Sequence, residues 1–139
     1  MNVFVDTGAF CALTVPSDTW HASALSALKV IREANALIFT SNFVLAETYT
    51  LINVRAGRHA ALSFMSRNEQ SGINVLRVTE DTEATAAAIF RKYDLPRLSF
   101  TDCTSFALVN AHRIDHVFSF DEHFRIFRYK HPVTLLGAV

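Results

Sequence analysis

The sequence predicts an α/β fold, a sandwich built around a mostly parallel sheet of four to five strands. Two observations carry the prediction. Short, continuous apolar runs of strand length recur along the chain, as expected of strands covered on both faces. Stretches with helical periodicity separate them, the alternation that builds βαβ units. The chain has 139 residues, half of them apolar, with only 4 Gly and 3 Pro. That is enough for one sizeable core, and 1–139 reads as a single domain without linker or repeat.

The opening NVFV reads as a buried strand, followed by a turn at Asp6-Thr7-Gly8. After Pro16, Ser17 is the expected cap of a helix on which Trp20, Ala24, Leu25, Leu28 and Ile31 recur at helical spacing. Ala36 to Thr40 forms the second expected strand. Ser41 or Asn42 then caps a helix carrying Phe43, Val44, Tyr49, Leu51 and Ile52, and Gly57 breaks it. A further helix runs through Leu62 and Met65 toward Gly72. Ile73 to Val78, rich in β-branched residues, is the third strand. Thr79 with Glu80, Asp81 and Glu83 behind it makes a capped, dipole-favoured start for a helix reaching about Tyr93, and Pro96 closes it off. Thr101 is the expected cap of the helix from Asp102 to about Arg113. His116 to Phe120 forms the fourth strand, running directly into Asp121, and Val133 to Leu136 the fifth.

The totals exclude several classes. The N-terminus has no basic region and Asp6 interrupts its apolar start, so no signal peptide is expected; nor does any apolar run reach membrane-spanning length. Cys11 and Cys103 make neither a disulfide framework nor a Cys-x-x-Cys site, and read as small buried residues in a reducing cytoplasm. A formal net charge of zero argues against a protein that coats nucleic acid through a broad basic field. It leaves room for an enzyme in which an acidic pocket and a basic rim cancel.

Ligands in open α/β sheets bind outside the carboxyl ends of the strands. Asp6 and Asp121 both fall at that edge. Either alone would be an ordinary turn or capping Asp; two at one edge point further. Glu47 shares a helix face with Phe43, Val44 and Leu51, and Asp102 with Phe106 and Val109. An unpartnered ion on an apolar face costs several kcal/mol, so each acid needs a reason to be there. If all four converge, like charges about 5 Å apart repel by roughly 3 kcal/mol per pair at an effective dielectric near 20. Protons or cations must neutralise such a cluster. Hard oxygen ligands at a partly open site suit Mg²⁺ or Mn²⁺.

These residues also resemble a known family. Asp-Thr-Gly after the first strand, TSNFVLAETYTLI around Glu47, LSFTDCTSFAL around Asp102 and VFSFDEHF around Asp121 resemble the PIN domain, most closely the VapC-type toxin ribonucleases of toxin–antitoxin modules. The resemblance spans nearly the whole chain, in order. It implies a three-layer α/β/α sandwich and metal-dependent hydrolysis of RNA phosphodiester bonds, leaving a 5′-phosphate and a 3′-hydroxyl. It implies Asp6, Glu47, Asp102 and the more variable Asp121 as catalytic metal ligands. Thr7, Ser41, Asn42 and Thr101 match positions where the family places a hydroxyl or amide beside the acids, with Thr101 as an orienter of Asp102 or of a bound water. RNA as substrate, an antitoxin protein as partner and a homodimer are further implications.

Other residues support weaker readings. Arg97, just before the Asp102 helix, is the leading candidate for guiding the RNA backbone, ahead of Arg55, Arg58, Lys92 and Arg113. His112 and His116 are spaced like helical metal ligands but straddle a helix end, and His123 reads as surface packing. The Phe residues, Phe90 among them, read as core, with Phe124 or Phe127 as candidate base-stacking residues and Tyr49, Ile52, Leu62 and Met65 as a candidate subunit face. A haloacid-dehalogenase phosphatase would need a second acid where Gly8 stands. A free-standing PIN nuclease of RNA processing, or a module that binds RNA or a partner without cutting, remain the alternatives.

Overall fold

The computed structural model describes residues 1–137. Five strands form one sheet: β1 (Asn2–Val5), β2 (Leu37–Ser41), β3 (Asn74–Leu76), β4 (His116–Phe118) and β5 (Thr134–Leu136). The order is β3-β2-β1-β4-β5, and all four pairings are parallel. Seven helices connect or follow them: α1 (Thr7–Thr14), α2 (His21–Glu33), α3 (Asn42–Ala56), α4 (Arg58–Gln70), α5 (Glu80–Lys92), α6 (Phe100–Ala111) and α7 (His123–Ile126). The α/β sandwich and its parallel sheet are therefore as expected. All five expected strands are present, although the third, fourth and fifth are shortened to three residues each.

The strand order locates the site before any side chain is considered. From β1 the chain steps outward to β2 and β3, then returns across the sheet to β4 and steps outward again to β5. Right-handed crossovers, the rule for parallel units, put α1–α4 on one face and α5–α7 on the other. Most helix contacts follow this division, α1 meeting α2 and α3, α3 meeting α4, and α5 and α7 packing on α6, while α3 also touches α6 across it. The direction of winding switches between β1 and β4, so the crevice opens beyond their carboxyl ends. Those ends lead to Asp6 and Asp121.

β1 is the centre of the core, with Val3, Phe4 and Val5 all buried. On α6, every residue from Asp102 to Val109 is buried, so this helix is the inner helix of its layer. Phe106 stacks on Phe127 at 4.3 Å and meets Phe124 edge-on at 4.9 Å. Phe124 and Phe127 are thus core residues and cannot serve as base-stacking platforms; the four-residue α7 turns them inward. Phe90 differs from expectation in the other direction. It is half-exposed and packs only edge-on against Phe100. Tyr49 packs against Phe64, and Ile52 is fully buried within this chain.

Several boundaries move for local reasons. Asp6-Thr7-Gly8 is the start of a helix, not a turn: α1 follows β1 directly, and its TGAFCALT sequence is apolar on most sides and has no readable period. α2 begins at His21, because Val15 to Trp20 form turns instead of a first helical turn. Ser99, not Thr101, caps α6. Gly57, with φ of 92°, separates α3 from α4 as expected.

One glycine links the far strand to the site. Gly137 has φ of 121°, and a methyl group there would meet the Ser119 carbonyl oxygen at 2.5 Å. Ser119 in turn donates its N–H to Leu136. Gly137→Ala is expected to cost about 2 kcal/mol or more and to lower the thermal midpoint by at least several degrees, read by calorimetry.

Candidate active site

Asp6 occupies the N-cap of α1, yet its carboxylate makes no capping hydrogen bond; its backbone carbonyl alone receives the N–H groups of Ala9 and Phe10. The side chain is therefore free for another use while being 4% exposed. Its Oδ2 accepts from the Ser119 hydroxyl at 3.1 Å, and its N–H donates to Phe118 across the β1–β4 seam. Burial first, and the neighbouring Asp102 charge second, push its pKa up to about 8.

Asp102 stands at the start of α6 in a reciprocal capping box. The Ser99 hydroxyl accepts the Asp102 N–H at 2.9 Å, and Asp102 Oδ2 accepts the Ser99 N–H at 3.4 Å. This fixes the carboxylate with one oxygen directed back along the cap. Burial, then the Asp121 charge, raises its pKa to about 6 against the lowering effect of the cap.

Asp121 does not directly follow β4, which ends at Phe118; Ser119 and Phe120 lie between them. The intervening Ser119 joins the acids: its hydroxyl donates to Asp6 and accepts the Asp121 N–H at 3.0 Å. Asp121 Oδ1 also accepts the His123 N–H at 2.9 Å, a local turn into α7.

His123 is the largest correction at the site. It is 5% exposed and not surface packing. Its Nε2 lies 2.9 Å from the Pro96 carbonyl, which can only accept, so the ring proton of the neutral form is on Nε2. Nδ1 then points its lone pair at two acids, 2.9 Å from Asp121 Oδ1 and 3.6 Å from Asp102 Oδ2. It is buried and has no aligned hydrogen bond among the described residues. An imidazole lone pair against carboxylate oxygens is repulsive unless something positive lies between them.

Ligand atoms of Asp102, Asp121 and His123 all lie within 4.8 Å of one another. This set fits a divalent cation: two carboxylates and one orphaned imidazole nitrogen, turned inward by the carbonyl behind its ring. Asp6 is not one of these three but is tied to Asp121 through Ser119. The Thr7 hydroxyl beside it is also buried and without a partner among the described residues.

The remaining expected residues separate into two groups. Glu47 is half-exposed at the margin of α3, whose buried face is Val44, Leu45, Thr48 and Ile52. It is therefore not as deeply placed on the apolar side as the spacing suggested. It lines a shallow cleft with Phe43, Leu51 and Thr101, and contact between α3 and α6 brings it to the Asp102 side of the molecule. Ser41 and Asn42 have structural partners. Ser41 caps α3 by accepting the Val44 N–H, and Asn42 accepts the Val78 N–H at 2.8 Å. Arg97 is exposed, with φ of 61°, in the turn that carries the Pro96 carbonyl. His116 pairs with Asp115 at 2.7 Å, outside the acid group.

Sequence reasoning missed Ser99, Ser119 and His123. Ser99-x-x-Asp102 has capping-box spacing and was legible; the other two depend on contacts far along the chain. Cys11 and Cys103 are buried free thiols, and burial pushes both pKa values up to about 11, so neither is a nucleophile.

The PIN domain family model matches residues 3–128. A curated relative, the 23S rRNA-specific endonuclease VapC20 of Mycobacterium tuberculosis, is 34% identical over 122 residues, covering 88% of this chain and 91% of the relative. The crystal structure of Mycobacterium tuberculosis VapC20, described as a Sarcin-Ricin loop cleaving toxin, superposes with a TM-score of 0.79 at 33% identity, over 89% of this chain and 93% of that one. VapBC2 from Rickettsia felis, solved with a DNA fragment from its promoter, has the same fold at 13% identity, with a TM-score of 0.70 and 97% of each chain covered.

Proposed function

This chain belongs to the PIN domain family, and from that premise we propose that it is a metal-dependent endoribonuclease, the toxin of a toxin–antitoxin pair. The observation that carries the reading is the group of buried Asp102 and His123 with half-buried Asp121 in the switch-point crevice, and Asp6 coupled to it. Such a group is short of positive charge, and a bound cation would relieve it. The full-length likeness to a 23S rRNA-specific endonuclease supports RNA as the substrate, with ribosomal RNA as the first candidate.

In this reading Asp6, Asp102 and Asp121 hold the cation, and Glu47 contributes from the rim opposite Thr101. Mg²⁺ and Mn²⁺ both suit oxygen ligands, and the His123 nitrogen favours Mn²⁺ as the softer of the two. When bound, the cation supplies a lowered pKa for water and a countercharge for the phosphate. Ser99 and Ser119 position the acids, and the Thr7 hydroxyl is available to a water. Water attacks phosphorus in line, the P–O3′ bond breaks, and the proton released is matched by protonation of the leaving 3′ oxygen. The products are a 5′-phosphate and a 3′-hydroxyl.

Among the described residues no helix is long and apolar enough to cross a membrane. An antitoxin that places a basic side chain among the acids would silence the enzyme, and exposed Leu62 and Val54 offer apolar surface for a second copy. Purified protein is expected to cleave RNA with Mg²⁺ or Mn²⁺ and to stop with EDTA, read by gel and by 5′-end analysis. Cleavage unaffected by EDTA, or none with either metal, would refute the proposal.

A further inference from the structure

Beside the acids lies a cleft of about 670 Å³, lined by Trp20, Phe120, Arg55, Asp18, Gly8 and Asp121 among others. Its aromatic wall is unusual for a protein whose other large rings are mostly internal. The Trp20 indole lies parallel to the Phe120 ring, 5.4 Å between centroids and 6° between planes, yet Trp20 is 42% exposed. This pair is built rather than accidental. Asp18 accepts the Trp20 backbone N–H at 2.8 Å through one carboxylate oxygen, fixing the turn that carries the indole, and holds Arg55 Nη1 at 3.3 Å through the other. One buried-edge acid thereby sets both the aromatic platform and the cation facing it.

Arg55 has five N–H donors, one of them engaged by Asp18, and its side chain is 49% exposed. It can therefore still present donors to a phosphate. Phe120 is bonded to Asp121, which lines the cleft and also belongs to the acid group, and Gly8 on the cleft wall faces Asp6 Oδ2. A flat π-face, a guanidinium and direct continuity with a phosphodiester-cutting site are the parts of a nucleotide subsite.

We propose that this cleft binds one nucleotide of the RNA substrate next to the scissile phosphate, its base stacked on the Trp20–Phe120 pair and its phosphate held by Arg55. The proposal deepens the nuclease reading and rests on it. The subsite selects for an unstacked base, and so for single-stranded or looped RNA over continuous duplex.

Trp20 is the only tryptophan in the chain, so its emission reports on the cleft directly. The probe is adenosine 5′-monophosphate, which has a base and a phosphate but no bond to cut; ribose 5-phosphate is the control without a base. With Mg²⁺ present, saturable quenching by adenosine 5′-monophosphate and none by ribose 5-phosphate is expected. Arg55→Gln should weaken the nucleotide roughly tenfold. In cleavage assays Trp20→Leu should raise KM roughly tenfold while changing kcat little. Equal responses to the two probes, or quenching unaltered by Arg55→Gln, would overturn the subsite. If RNA is cut but adenosine 5′-monophosphate leaves Trp20 unchanged, the subsite falls and the nuclease reading stands. If the nucleotide quenches while no RNA is cut, the nuclease reading falls and a nucleotide site remains.

Discussion

Asp102→Asn should lower RNA cleavage by roughly 10³-fold or more while leaving the fold intact. The substitution is isosteric, and the amide oxygen can still accept the Ser99 N–H that orients the side chain. What it removes is one negative charge from a group that also contains Asp121 and His123. Loss of activity with an unchanged circular dichroism spectrum and a metal-free thermal midpoint at or above that of the wild type would therefore report on charge, not on packing. Ser99→Ala separates the two effects. It keeps the carboxylate but removes the cap, costing about 1 kcal/mol of stability, and should reduce activity far less than Asp102→Asn.

The metal-free protein should lose stability as pH rises from about 4 to about 8. Asp6 and Asp102 have folded-state pKa values raised to about 8 and about 6, above the ordinary carboxylate value of 3.8. In that window the folded state holds protons that the unfolded chain has released, so folding is disfavoured by each increment of pH. The stabilising contribution is complete below about pH 4, is lost through pH 6 for Asp102, and is lost through pH 8 for Asp6. Asp6→Asn cannot ionise, and should raise the metal-free midpoint at pH 8 by roughly 5 °C or more, on the order of 2 kcal/mol. Mn²⁺ should restore wild-type stability at high pH and do little for Asp6→Asn, because it replaces the protons that pH removes. A metal-free midpoint that stayed flat between pH 5 and pH 8 would contradict this view of the acids.

Much of this was legible in the sequence because it is encoded locally. Continuous runs such as Val3-Phe4-Val5 mark strands buried on both faces, and an Asp at the end of such a run already stands at the ligand edge. Asp102 was legible because Phe106 and Val109 fix the face of its helix, and that face is buried throughout. Glu47 shows the limit of the same reasoning. Spacing assigns a side of α3 but not how far a neighbouring element covers it, and Glu47 falls at the margin. The helical start at Thr7 was hidden because a short apolar helix has no amphipathic period. His123 was hidden for a different reason. Its inward orientation is set by the Pro96 carbonyl, 27 residues earlier in the chain, a contact that no local pattern records. Ser119 likewise gains its role only when β1 and β4 are paired, 113 residues apart in sequence.

The proposed divalent-cation site of Asp102, Asp121 and His123, with Asp6 beside it, can be tested without any RNA by titrating the metal-free protein with Mn²⁺ and following the free-ion signal by electron paramagnetic resonance. Saturable binding is expected, weakened at least roughly tenfold by Asp102→Asn and weakened also by His123→Ala. Mn²⁺ binding that is absent in the wild type, or equally tight in Asp102→Asn, would contradict it.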